Sequence, residues 1–390
     1  MGCYGECWLG ELHVGSTKND FDLGLASLFR SGDKRVISQR DNYIPPQLQE
    51  IADETDFDGG ERLVFYVAPV SVVRDRLELM GYTLATCKAV FNDCVHVELS
   101  RCERSVATAS DRMIDYYGKI ISSLRSMDAD AWIETLKVII SKQLISKHDK
   151  SNPDGTVLGY MLENDWFGYD GPDRNVGIRL AIEACLEGAQ LMYDISDLVA
   201  QGFIDADDDL VEAATTVHAG QYLSVGRTII LTEGRSDSSA LSASLLLLYP
   251  HLADYYSFLD FDAFRVPGGS GSLANLTRAM AAAGVINRII ALFDNDTAGE
   301  SAMRGLRSLN LPTNICLARL PDLEDLRAYP TLGPTGSTTM DVNGIAASIE
   351  LYLGRDALTA SDGKLVPVQC VALHVNLDKT TELRKETFTA

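Results

Sequence analysis

Between Lys150 and Lys364 the sequence contains no lysine. That excludes Schiff-base chemistry, a P-loop lysine and a lysine general base from the whole span, whose cations are all arginines. Cysteine is present but unpatterned. The eight residues, Cys3, Cys7, Cys87, Cys94, Cys102, Cys185, Cys316 and Cys370, include no C-x-x-C pair. Cys3 and Cys7 are a weak zinc signal, and buried reduced thiols in a cytosolic protein are the better reading. No apolar run approaches the ~20 residues of a membrane span, since the longest, "ALSASLLLLYP", stops at Pro250. The opening "MGCYGECWLGELHVG" lacks a basic region and a long apolar core, so no signal peptide is expected. Glu6 and Cys7 leave the myristoylation pattern after Gly2 incomplete. Positive charge is also scarce: 34 Lys and Arg stand against 55 Asp and Glu, a net charge of −21. Such a surface does not attract nucleic acid over its whole area, although a local basic groove or metal-masked carboxylates remain open.

What is present suits a soluble, cytoplasmic α/β protein. The 390 residues are 46% hydrophobic and 23% charged, enough for two or three domains. Residues 1–100 read as an N-terminal α/β module. "RLVFYVAPVSVV" is strand-like, and "VRDRLELMGYTLATCKAVFNDCV" has helical spacing broken at Gly81. The acidic loop "DETDFDGGE" lacks EF-hand spacing and reads as solvated. Residues 101–221 read as helical, with turn chemistry at "SNPDG". The acidic run at 205–209 suits a helix start. Residues 222–390 change texture. "GRTIILTEG", "YYSFLDFDAFRVPGG", "NRIIALFDN" and "NICLARLP" alternate with helical segments at short spacing. Apolar strands that do not alternate with polar residues predict a parallel sheet covered by helices. Ligands of such sheets sit beyond the carboxyl ends of the strands.

Two strand ends carry acids. In "IILTEGRSD", Glu233 closes the strand, Gly234 permits a turn and Asp237 enters the next helix. In "IIALFDNDTAGE", Asp294 and Asp296 share one face because extended side chains repeat every two residues. Clustered carboxylates repel, and one of them must take a proton unless a cation intervenes. Magnesium or manganese resolves the conflict and leaves positions for phosphate oxygens. An Asp after a strand is also a common helix cap, so either motif alone reads as structural. Their pairing on two strands favours a metal site.

"TEGRSD" with "FDNDTAG" resembles the Toprim domain of primases, type IA and II topoisomerases and overcoming-lysogenization-defect nucleases, over about residues 225–320. The resemblance implies a Rossmann-like parallel sheet, acid/base or metal work for Glu233, and magnesium binding by Asp294 and Asp296. Asp237 matches an acidic position of the nuclease branch. The opening "MGCYGECWLGELHVGSTKNDFD", the central "LYPHLADYYSFLDFDAFRVPGGSGSL" and "VNGIAASIELYLG" resemble the HEPN/Toprim-associated family throughout. That implies a HEPN-like central region and an endonuclease acting on nucleic acid, DNA before RNA. It also implies a role in defence against phage or mobile elements, self-association and a partner protein of the defence system, with no membrane partner. One departure is clear. None of the six histidines has an arginine at the spacing active HEPN ribonucleases use, so the helical region is expected to serve dimerisation or sensing.

Further candidates keep two readings each. Gly268, Gly269 and Gly271 in "VPGGSGSL" could bring backbone N–H groups to a phosphate, or simply make a tight turn. Glu350, in an apolar helical pattern, could be a metal ligand or a salt-bridge partner, with Asp341 nearby. Glu300 is the acid the Toprim pattern does not require. A topoisomerase reading lacks a distinguishable tyrosine nucleophile, and a primase reading lacks its zinc domain. A haloacid-dehalogenase phosphatase expects Thr or Val where Ala298 stands, and needs a lysine. The remaining alternative is a non-catalytic nucleic-acid-binding or regulatory subunit.

Overall fold

The structure is a computed structural model that describes residues 2–40, 43–107, 110–144, 154–211, 214, 227–333, 336–369, 373–375 and 381–383. It divides into two units, Met1–Gln221 and Tyr222–Ala390. Among the described residues no helix is long and apolar enough to cross a membrane.

The first unit is built on a five-stranded sheet. Its strands are β1 (Tyr4–Leu9), β2 (Leu12–Lys18), β3 (Lys34–Ile37), β4 (Leu63–Pro69) and β5 (Gln190–Asp194), in the order β2-β1-β5-β4-β3. β1 and β2 form a hairpin around Gly10, whose φ of 59° suits glycine. All neighbours are antiparallel. Helices α1 (Val70–Leu79), α2 (Leu84–Val106), α3 (Asp111–Arg125), α4 (Ala129–Ser141), α5 (Val157–Glu163) and α6 (Arg174–Ile182) follow β4. Gly81, at φ 96°, separates α1 from α2 as the sequence predicts.

The expected division near residue 100 has no counterpart. α2 runs through that position, and β5, from the stretch read as helical, lies between β1 and β4. Without β5 the inner edges of β1 and β4 would be left unpaired. Its side chains alternate: Leu191 and Tyr193 join the large core with Leu9, Val64 and Trp132, while Met192 joins a smaller core with Phe65 and Leu48. The acidic run ends as expected, with the Asp209 carboxylate accepting from the Val211 amide. Cys7, Cys87 and Cys102 are buried thiols, but Cys316 is exposed.

The second unit carries a four-stranded parallel sheet of β6 (Thr228–Leu231), β7 (Tyr256–Phe258), β8 (Ile289–Phe293) and β10 (Ile315–Arg319), in the order β10-β8-β6-β7. The short β9 (Asn295–Asp296) lies between β8 and β10 in sequence. Helices α7 (Arg235–Leu248), α8 (Ser270–Ala282) and α9 (Thr297–Arg307) connect the strands. This is the parallel, helix-flanked sheet that the Toprim resemblance implies. Ile289, Ala291 and Phe293 of β8 pack with Leu273 of α8 and with Met303 and Leu306 of α9. The intervening Ile290 and Leu292 are only half-buried, and α7 fully buries one residue, Ser238. The two faces of the sheet are therefore covered unequally. A C-terminal extension adds β11 (Tyr329–Gly333), β12 (Gly336–Met340), β13 (Ala346–Ala347) and β14 (Val368–Gln369), and has its own small core.

β5 ends on an unusual residue. Asp194 is 1% exposed, and its Oδ2 is buried without a hydrogen-bond partner. Burial first, against hydrogen bonds from Ser196, pushes its carboxyl up to about 6 from an ordinary 3.8. The unfolded chain therefore ionises before the folded one, so the protonated residue stabilises the fold at low pH and this is lost as pH rises through 6. Urea unfolding of wild type and Asp194→Asn should show their stability difference shifting by about 2 kcal/mol in favour of the variant between pH 4 and pH 7. A pH-independent difference would contradict the burial.

Candidate active site

Glu233 lies two residues beyond β6, at the carboxyl end of the sheet. Gly234, extended at φ −156°, turns the chain into α7, and its amide donates to Asp237 Oδ2 at 2.7 Å. Asp237 thus completes the first turn of α7, where an acid also suits the helix dipole. On the neighbouring strand, β8 ends at Phe293 and Asp294 follows at once. The parallel register of β6 and β8 sets the two strand ends side by side. The Asp294 amide donates to Glu233 Oε1 at 3.0 Å. Asp296 caps α9, its Oδ1 accepting from the Gly299 amide at 2.7 Å.

The helix-cap reading holds for both Asp237 and Asp296. Asp237 and Asp296 organise helix starts, and the same placement gathers their charges around Glu233. The Glu233 carboxyl is pushed up to about 8 from 4.5. Burial is the first cause, Asp294 the next, and Asp296 and Asp237 add to it, while the Asp294 amide works the other way. Near neutrality Glu233 therefore holds a proton unless a cation replaces it.

The donor set is all oxygen, as a hard divalent cation requires. Among the described residues no three His, Cys, Asp or Glu side chains cluster closely enough to hold a metal ion by themselves. Magnesium and manganese need only one or two carboxylates from the protein, with waters and substrate phosphates completing the shell. Residues able to hold such an ion are Asp294 and Asp296, with Glu233 and Asp237 beside them.

The other candidates are placed differently. The glycine loop lies against the site, but the Gly269 amide donates to the Glu233 carbonyl at 2.6 Å. That N–H is engaged by the fold. The φ of 97° at Gly269 and the tight approach of Gly268, where a Cβ would come 3.0 Å from the same carbonyl, make this loop a brace for Glu233. Gly271, in the first turn of α8, has open space around it. Glu350 sits in a single 3-10 turn, not the helix its pattern predicts, and accepts from the Ser348 hydroxyl. Asp341 makes a local turn with Asn343 at 2.9 Å. Glu300 pairs with Arg307 at 3.2 Å.

Two residues escape the sequence reading. Asn295, the middle of Asp-x-Asp, is fully buried. Its Nδ2 donates to Asp322 at 3.0 Å and to the Tyr352 hydroxyl at 3.2 Å, and its Oδ1 accepts from Gly344 at 2.8 Å. β9 also pairs antiparallel with β13, Asp296 opposite Ala346. The C-terminal extension thus clamps the motif. Gly299 is the second: a Cβ there would stand 2.6 Å from the Asp294 carbonyl and 3.1 Å from Glu233 Oε1. Its signal was legible as a small residue three positions after a capping Asp. Gly299→Ala should destabilise the second unit by about 1–3 kcal/mol in denaturant unfolding. Gly305→Ala, on the same helix with its nearest neighbour the flexible Arg278 tip at 3.4 Å, should not. Equal behaviour of the two variants would show that Gly299 is not packed against the acids.

Comparison with known proteins bears on this geometry from the other end of the chain. Searches of curated proteins and of solved structures found no match. The family model described as HEPN/Toprim N-terminal domain 1 matches residues 1–217. The match covers the whole β2-β1-β5-β4-β3 sheet and its helices, which explains why β5 and β1 belong to one unit. It covers more than half of the chain, and the chain belongs to the HEPN/Toprim-associated family, a nuclease-related one.

Proposed function

We propose that the second unit is a magnesium- or manganese-dependent endonuclease that hydrolyses phosphodiester bonds of nucleic acid, DNA in preference to RNA. The observation that carries this is the half-buried Glu233, whose ionisation is opposed by three aspartates drawn from two adjacent strand ends. A fold that gathers such charges in a partly desolvated place loses stability unless a cation or a proton offsets them. A bound divalent cation would stabilise charge developing on the phosphoryl oxygens. Asp294 and Asp296 would hold it, helped by Asp237. Glu233, protonated near neutrality, is suited to give a proton to the departing oxygen or, once ionised, to take one from water. The Asp294 amide fixes the orientation of that carboxyl. The span has no lysine, so arginines supply the positive charge for the nucleic-acid backbone. The proposal extends to a role in defence against phage or mobile elements, with self-association and a partner protein of the same system.

A second reading has one observation in its favour, the lack of a tightly convergent metal-ligating trio among the described residues. In that reading the unit binds nucleic acid, or regulates a partner, without catalysis.

The test is cleavage of plasmid DNA, linear duplex DNA and RNA by the full chain in magnesium and in manganese. Wild type should cut, and Glu233→Gln and Asp294→Asn should each be slower by ~100-fold or more. Chelation should abolish the activity. Cleavage that survives both substitutions, or a wild type that cuts nothing while Asp294→Asn and Asp296→Asn keep full biological activity, would favour the non-catalytic reading.

A further inference from the structure

The first unit holds a second acidic place, independent of the nuclease reading. A cavity of about 420 Å³ opens beside Asp194. Strand register builds it: Glu6 of β1 lies directly opposite Asp194 of β5, so both side chains leave the same face of the sheet. Glu54, Glu61 and Asp197 complete an acidic lining against a single arginine, Arg62. Tyr4, Ile51 and Ala200 supply an apolar side.

Most of these carboxylates already have partners. Glu6 pairs with His13. Asp197 accepts from the Tyr4 amide at 2.8 Å, and Glu61 from the Asp56 amide at 2.7 Å. Arg62 reaches toward Asp207 at 3.7 Å. Asp194 differs. Its Oδ1 accepts twice from Ser196, from the amide at 3.0 Å and the hydroxyl at 2.5 Å. Ser196 is itself held by the Val64 amide at 2.9 Å, so that side is fixed. Oδ2 has no donor, although the residue is 1% exposed. A buried carboxylate oxygen without a donor is costly, and the unit provides none of its own.

The chemistry that satisfies this oxygen must bring N–H donors and positive charge. A bare metal ion would leave the apolar side of this cavity unused. An ammonium group carries three donors, and methylenes attached to it match the apolar side of the cavity. We propose that this cavity binds an aliphatic diamine or polyamine, with Asp194 as the buried counter-ion of one ammonium and the exposed Glu54 and Glu61 attracting the other.

The test is isothermal titration calorimetry of putrescine, spermidine and magnesium chloride into the full chain at moderate salt. Saturable binding of one amine per chain is expected, weakened at least tenfold in Asp194→Asn and several-fold in the surface variant Glu54→Gln/Glu61→Gln. The surface variant decides the matter should Asp194→Asn fail to fold, as checked by circular dichroism. No saturable amine binding to wild type, many-site binding indifferent to both variants, or tight binding of magnesium that Asp194→Asn removes would each overturn the proposal. Cleavage assays on the same variants keep the two readings apart, since the nuclease acids are untouched.

Discussion

Glu233 is held against its own charge, and the second unit is arranged around that constraint. Its carboxyl accepts the Asp294 amide, its carbonyl accepts the Gly269 amide, and three aspartates oppose its ionisation. Each contact fixes a different element: β8, the loop before α8, and the starts of α7 and α9. The parallel sheet supplies the common edge where these elements meet. Stability alone would favour an apolar residue at such a place. An acid at such a place is what the proposed cation site rests on.

The C-terminal extension is part of that arrangement. Asn295 spends its whole amide on the Asp322 side chain, Tyr352 and Gly344, and β9 pairs with β13. Asp294 and Asp296 are thereby set by a buried residue between them. Backbone and side chain both hold the motif, which keeps two like charges close without letting the loop relax away. Gly299 makes the same point from the other side, because only a hydrogen fits between the Asp294 carbonyl and Glu233.

Much of the second unit was legible because its signals are local. "TIIL", "IIALF" and "ICLAR" are short apolar runs with acids or turns at their ends, and each became a parallel strand. The first unit was less legible because its decisive contacts are remote. β5 reads as "QLMYD" after a helical stretch, and only pairing with β1 and β4 makes it a central strand. Asp194 carries no motif, and its importance comes from what β5 buries. Asn295 was hidden between two acids that draw the eye. Glu350 was misplaced because an apolar pattern that suggested a helix became a 3-10 turn in a separate small core.

The central claim is that the acids around Glu233 form a divalent-cation site. Anomalous diffraction from crystals of the full chain grown with manganese measures this most directly. The account predicts a manganese peak bonded to oxygens of Asp294 or Asp296 and next to Glu233, absent in Asp294→Asn/Asp296→Asn. A wild-type crystal that shows Glu233 hydrogen-bonded as before and no manganese at these acids would contradict it.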